Sequence, residues 1–263
     1  MPFPVTPRVV YEHNPLRQVI CQLRFPTILE IASAEPSEFQ KRLRPRYPLY
    51  AFEDPTALGL PKELSGLLVG LPRPMASELS VHKFLTEDSK RTVSLNRDFL
   101  ALTETDYRRW EGLRPEIEFA KHAFEGVYKP AFYSRIGLRY QNQIDRAELG
   151  LGEEPWASLL NPSFLGILGA EAVRGRVQES RSDALVRVED VSGAFVRLRH
   201  GVTRQGPDGG EAYVVDADFY TQEKGVSEHV FEILDTFNRL AGNLFRWAIS
   251  RRLHDALAPV DIR

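Results

Sequence analysis

The triplet Leu138-Arg139-Tyr140, inside the run Phe132 to Ile144, repeats Leu23-Arg24-Phe25, inside the run Leu16 to Ile28, at an offset of 115 residues. Both runs alternate apolar and polar residues, which is the pattern of a strand with one buried face. In the first, Val19, Cys21, Leu23 and Phe25 share one face, while Gln18, Gln22 and Arg24 share the other. Each run opens a similar series: a strand, a short helical segment, two or three strands, then a long helix. A second correspondence links Asp98-Phe99, ahead of the first long helix, with Asp218-Phe219, ahead of the last, at an offset of 120 residues. Strands with a single apolar face need a cover, and two long helices supply one. The expected fold is therefore α+β: an internally duplicated strand-helix-strands-helix unit, with antiparallel sheet and the long helices packed on one face. The halves fall at residues 1–130 and 131–263, as two units or one compact domain.

Taken in order, residues 1–15 hold four prolines and run extended to a first strand at about Arg17 to Pro26. Ser33 is placed to cap a short helix from Pro36 to Arg44 with Phe39 and Leu43 inward. Pro45 to Pro74 has six prolines and no clean period, and reads as an irregular connection with one helical turn near Lys62 to Leu68. Strands follow at Glu78 to Thr86 and Arg91 to Thr103, joined through Glu87-Asp88-Ser89-Lys90. Thr103 or Thr105 caps a helix whose apolar positions, Trp110, Leu113, Ile117 and Phe124 among them, recur at helical spacing, with a kink at Pro115. In the second half a helical segment at Trp156 to Leu168 precedes strands at Val173 to Gln178, Ala184 to Asp190, Ala194 to Thr203 and Glu211 to Gln222. The run Gln205 to Gly210 is a glycine-rich turn. Ser227 opens the longest helix, whose stripe includes Val230, Leu234, Phe237, Leu240 and Leu244 and which Pro259 ends.

The blocks Asn14-Pro-Leu-x-x-Val-Ile-Cys-Gln-Leu-Arg-Phe-Pro26 and Arg135-Ile-Gly-Leu-Arg-Tyr-x-Asn142 resemble the signatures of a sporadically distributed bacterial family of uncharacterised proteins. The resemblance extends over nearly the whole length and implies no reaction, cofactor or catalytic residue. Patchy occurrence in that family implies genes on mobile or defence-associated segments.

Composition narrows the functional classes. With 43% hydrophobic and 27% charged residues, a chain of 263 residues is that of a soluble globular protein with a sizeable core. A net charge of −2 gives no global argument for nucleic-acid binding. The lone cysteine, Cys21, has no partner for an intramolecular disulfide and lies in an apolar strand pattern, as a buried thiol does. No window reaches the roughly 18–20 apolar residues of a membrane helix. The first residues lack the charged-then-apolar order of a signal peptide, so a cytoplasmic location is expected. The six histidines stand at no metal-ligand spacing, no phosphate-loop lysine follows a glycine-rich turn, and no cofactor is expected.

The remaining constellation is the polar face of the sheet. Alternation directs Arg24, Arg135, Arg139, Arg174, Arg176, Arg197 and Arg199 away from the helices, with Asp98, Asp216 and Asp218 on the same side and Tyr140 and Tyr220 as flanking stacking surface. Arginine's planar fork suits phosphate or carboxylate, which points to a non-enzymatic binding module for a protein partner or anionic ligand, through this face or the 45–74 segment. A nucleic-acid-binding sheet saddle is one alternative, and an enzyme with a dispersed site, Asp98 and Asp218 opposite Arg139, is another. The plain reading of the face is a solvated surface laced with cross-strand Arg–Asp pairs.

Overall fold

A computed structural model describes residues 2–53, 80–173, 175–204, 210–225 and 227–261. Its strands in chain order are β1 (Val9–Tyr11), β2 (Leu16–Arg24), β3 (Leu49–Glu53), β4 (Val81–Leu85), β5 (Arg91–Asn96), β6 (Phe99–Glu104), β7 (Arg135–Asp145), β8 (Ser182–Val188), β9 (Ala194–Arg204), β10 (Glu211–Thr221) and β11 (Pro259–Asp261). Nine of them form one antiparallel sheet in the order β3-β4-β5-β6-β2-β7-β10-β9-β8, and β1 pairs with β11 in a separate ribbon. The helices are α1 (Leu29–Ser33), α2 (Ser37–Leu43), α3 (Trp110–Tyr128), α4 (Trp156–Leu159), α5 (Val230–Ala248) and α6 (Arg251–Ala256). The α+β architecture expected from the alternating runs is the one observed.

Outward from the central pair β2·β7 the strands run in the same order on both sides, β2-β6-β5-β4 against β7-β10-β9-β8, with β3 as an extra edge strand. An offset of 115 carries Gln22 onto Gly137, and these two residues pair directly, so Arg24 and Arg139 each stand two residues beyond that pair on their strands. The second correspondence needs correction. Arg24 faces Phe99 across β2·β6, whereas Arg139 faces Asp218 across β7·β10, so the register equates Phe99 with Asp218 rather than with Phe219. A slip of one residue exchanges the two faces of a strand. Phe219 is accordingly fully buried, while Phe99 belongs to the opposite face.

Both long helices lie on the face carrying Val19, Cys21 and Leu23. α3 packs beside β6 with Trp110, Leu113, Ile117 and Phe124 buried, and α5 packs over β7 and β10 with Leu234, Phe237, Leu240 and Leu244 buried. The two are tied together at the centre, where Trp110 Nε1 and Arg114 Nε both donate to Asp235 Oδ1, at 2.6 and 3.1 Å. One hydrophobic core runs through both halves, so the division at residue 130 does not separate two cores. The segment before β2 crosses the boundary as well: Phe3 packs on Trp247, the Thr6 backbone and hydroxyl donate to Asn243 Oδ1, and β1 pairs with β11. This segment forms a strap across α5.

Other elements depart from expectation for local reasons. The run Arg91 to Thr103 is two strands, because Asn96 Oδ1 accepts from the Asp98 amide and folds the chain into a tight turn. Pro115 stands inside a single helical segment, α3, which starts at Trp110 rather than after Thr105. Ser33 ends α1 by donating to the Glu30 carbonyl instead of capping α2. The strand expected at Val173 to Gln178 is not found among the described residues: Val173 closes a helical turn and 177–178 carry no regular structure. The last long helix ends at Ala248, and Pro259 begins β11. Part of the irregular 45–74 connection, Leu49–Glu53, is the edge strand β3; residues 54–74, with the helical turn expected near Lys62 to Leu68, the turn at 205–209 and Arg174 lie outside the described residues.

Candidate functional site

The open face of the sheet carries Arg24, Arg135, Arg139, Arg197 and Arg199 together, as alternation requires. Each has a carboxylate. Arg139 meets Asp216 through two hydrogen bonds of 2.7 and 2.6 Å, and these hold its guanidinium above its usual pKa. Arg199 lies 3.5 Å from Asp216 and 3.6 Å from Asp183. Arg197 binds Asp183 at 3.0 Å, and Arg24 reaches Asp98 at 3.5 Å. Arg135 binds both oxygens of Asp218 at 2.8 and 2.9 Å, donates to Gln22 and covers the Tyr220 ring. It does so by lying over Gly137, where any Cβ would collide with it. The face is a lattice of cross-strand pairs, not a free positive field. Asp98 stands beside Arg24; Asp218 is the register partner of Arg139 across β7·β10, but its carboxylate binds Arg135.

Two expected members are absent from it. Arg176 sits in a turn outside the strands. Tyr140 is on the helix side, 6% exposed, because neighbouring residues of a strand point to opposite faces and Arg139 takes the open one. Burial raises the Tyr140 phenol far above its ordinary pKa, and its hydroxyl donates to Asn238 Oδ1 of α5 at 2.8 Å. Cys21 is buried, and desolvation pushes its thiol up to about 12, which makes it a core residue.

Tyr140 leads into a cavity of about 370 Å³ between the strap, the start of α3, α5 and the ends of β2 and β7. Its walls mix aromatic rings with amides: Tyr11, Tyr107, Tyr140 and Phe245, with Asn142, Asn238 and Asn243. Five arginines line it, Arg8, Arg108, Arg109, Arg239 and Arg246, and among the described residues no aspartate or glutamate does. Arg8, Arg108 and Arg239 reach carboxylates outside the lining, Glu111 at 2.6 Å, Asp106 at 3.6 Å and Asp190 at 3.4 Å. The hydrogen bond to Glu111 raises the Arg8 pKa. Arg246 lies deeper, half-buried beside the Tyr11 hydroxyl, and desolvation pushes that phenol up to about 12 despite the cation. Behind Tyr11, His254 Nδ1 is 2.8 Å from the same hydroxyl.

Two buried side-chain atoms among the described residues lack a hydrogen-bond partner, Asn243 Nδ2 and Arg246 Nη1. Both are donors, carried by residues that line this cavity three apart on one face of α5, and each atom is itself closed to solvent. Asn243 is 4% exposed, and its oxygen is already occupied by Thr6. A buried donor without an acceptor costs about 1–3 kcal/mol, so a pair of them beside one cavity would gain from an acceptor that a side-chain movement admits. Sequence reasoning passed over these residues. The available signal was the appearance of Asn243 beside Leu240, Ala241 and Leu244 on the buried stripe of α5.

Among the described residues no group of three His, Cys, Asp or Glu is arranged to hold a metal, and no helix is long and apolar enough to cross a membrane. No protein-family model and no curated protein matches the chain. Among solved structures it is similar to the duplicated taurocyamine kinase from Schistosoma mansoni with bound transition-state-analogue components, at 10% identity and a TM-score of 0.38 over 87% of this chain. The chain spans 32% of that protein. A likeness of this size carries no argument about activity.

Proposed function

We propose that the protein is a binding protein for a small anion, and that the anion occupies the cavity under the strap rather than the open face. The observation that carries this reading is the pair of orphaned donors, Asn243 Nδ2 and Arg246 Nη1, in a wall with five arginines and no carboxylate among the described residues. Arginine stays protonated at any working pH, so it holds an anion and makes a poor general base. The tyrosines around it are raised in pKa by burial and donate rather than accept protons at neutral pH. These chemistries favour holding a ligand over transforming one. On the open face, by contrast, each arginine faces a carboxylate, which leaves little field for a nucleic-acid backbone.

Thermal melts of the full chain with phosphate, sulfate and small organic phosphates and carboxylates test the reading. A ligand bound at 100 times its Kd stabilises by about 2.7 kcal/mol. At least one organic anion is expected to raise Tm, and Arg246→Gln to remove that rise while Arg197→Gln keeps it. A panel in which no anion shifts Tm, or a rise that survives Arg246→Gln, would overturn it.

A further inference from the structure

We infer that the ligand is a heteroaromatic ring carrying a phosphate, of the size of a nucleoside monophosphate; this rests on the anion-binding reading above. Size comes first. At about 370 Å³ the cavity sits near the lower end of the roughly 300–1,000 Å³ range of small-molecule sites, enough for a single nucleotide unit.

The walls then specify the body of the ligand. Two edge-to-face ring pairs frame the space, Tyr11 on Phe245 and Tyr107 on Tyr140, each with centroids 5.8 Å apart. Aromatic walls of this kind favour a flat π system over a flexible alkyl chain. The amides then read its edge. The Tyr107 and Tyr140 hydroxyls both donate to Asn238 Oδ1, at 3.4 and 2.8 Å, so the group this amide has left to offer is its Nδ2 donor. Asn142 gives Nδ2 to the Val215 carbonyl at 3.4 Å and keeps Oδ1 as an acceptor. A donor and an acceptor together match the edge of a nitrogen-containing ring and have no counterpart in a hydrocarbon.

The charged end is separate. Asn243 and Arg246 lie further along α5 than Asn238, and at about 1.5 Å rise per residue Asn243 is about 7–8 Å beyond it along the axis. That spacing leaves room for a sugar-sized unit between ring and anion. Two orphaned donors in one cavity, one of them a guanidinium, suit the three acceptor oxygens and near-double charge of a phosphate monoester better than the two oxygens of a carboxylate.

Calorimetric titration of the full chain with AMP, UMP, inorganic phosphate and octanoate decides the matter. Stacking is worth about 10- to 100-fold per base, so at least one mononucleotide is expected to bind by that margin over inorganic phosphate and over octanoate. Asn238→Leu is expected to narrow the margin while leaving phosphate affinity unchanged, and Arg246→Gln to weaken both. If octanoate binds as tightly as the nucleotides, the ligand class is wrong and the anion-binding reading stands. If none of the four binds the unaltered chain, the inference fails without need of any variant, and the anion panel of Tm measurements decides the broader reading.

Discussion

Arginines gather in two regions on opposite sides of one sheet, and the regions differ in what stands beside them. On the open face Arg135, Arg139, Arg197 and Arg199 each meet an aspartate of a neighbouring strand. In the cavity Arg246 has a buried guanidinium nitrogen with no acceptor, next to an asparagine nitrogen in the same condition. Counting the arginines named for each region, five and five, does not separate them. Accounting for each donor does, because a satisfied pair is structural while an orphan asks for a ligand.

The largest test of this contrast falls on the open face. Replacing Arg139 and Arg199 together by Gln leaves Asp216, 6% exposed, without a cation, and stability should fall by about 3 kcal/mol in denaturant titration. Anion affinity in the cavity should not change. A double variant that melts normally and loses ligand would make the face the binding site and break the comparison.

The next effect is on binding. Arg246→Gln removes a charge-assisted donor worth about 1.5–3 kcal/mol, so anion affinity should drop about 10- to 100-fold in calorimetry. Stability should fall by only about 0.5–1.5 kcal/mol, since Nη1 has no partner and the loss is the guanidinium's hydrogen bond to the Tyr11 hydroxyl.

Acidification separates the two regions. Burial, then the nearby Arg246 charge, lowers the His254 pKa, and burial alone lowers that of His200. Each is therefore held neutral in the fold and contributes stability that is full above the unfolded value of about 6.5 and lost as pH falls through the lowered one. Asp183 is lowered by its hydrogen bond to Arg197, so its contribution is full above about 3.9 and lost only in stronger acid. Unfolding measured from pH 7 to 5.5 should show a decline in stability that His254→Gln reduces. An identical decline in that variant would remove His254 from the account.

A smaller effect sharpens the contrast. Asn243→Asp puts an acceptor three residues from Arg246, which should raise stability by a few tenths of a kcal/mol while weakening anion binding. Higher stability with undiminished affinity would mean that Asn243 does not meet the ligand.

Much of the fold was legible because strand and helix periods act locally. The alternation in β2 and β7 placed Arg24 and Arg139 on one face, and the stripe from Val230 to Ala248 marked the helix above them. The same rule, applied to Tyr140, excludes it from the face of Arg139, and the structure enforces the rule. The Asn96-Arg97-Asp98 turn was hidden because a two-residue polar interruption resembles continued alternation. The cavity was illegible for another reason. Its parts come from the strap, residues 107–109, β7 and α5, and only the folded sheet brings them together. What the sequence offered was a single sign, an amide on a buried helical stripe, whose meaning depends on whether a neighbour accepts its proton.

The central claim is tested most directly by a crystal structure of the full chain soaked with a nucleoside monophosphate. The account predicts a phosphate oxygen within hydrogen-bond reach of Asn243 Nδ2 and Arg246 Nη1, with the Asp216 and Asp218 pairs of the open face undisturbed. A phosphate seated against Arg139 and Arg199, with those pairs broken and the cavity without ligand, would contradict it.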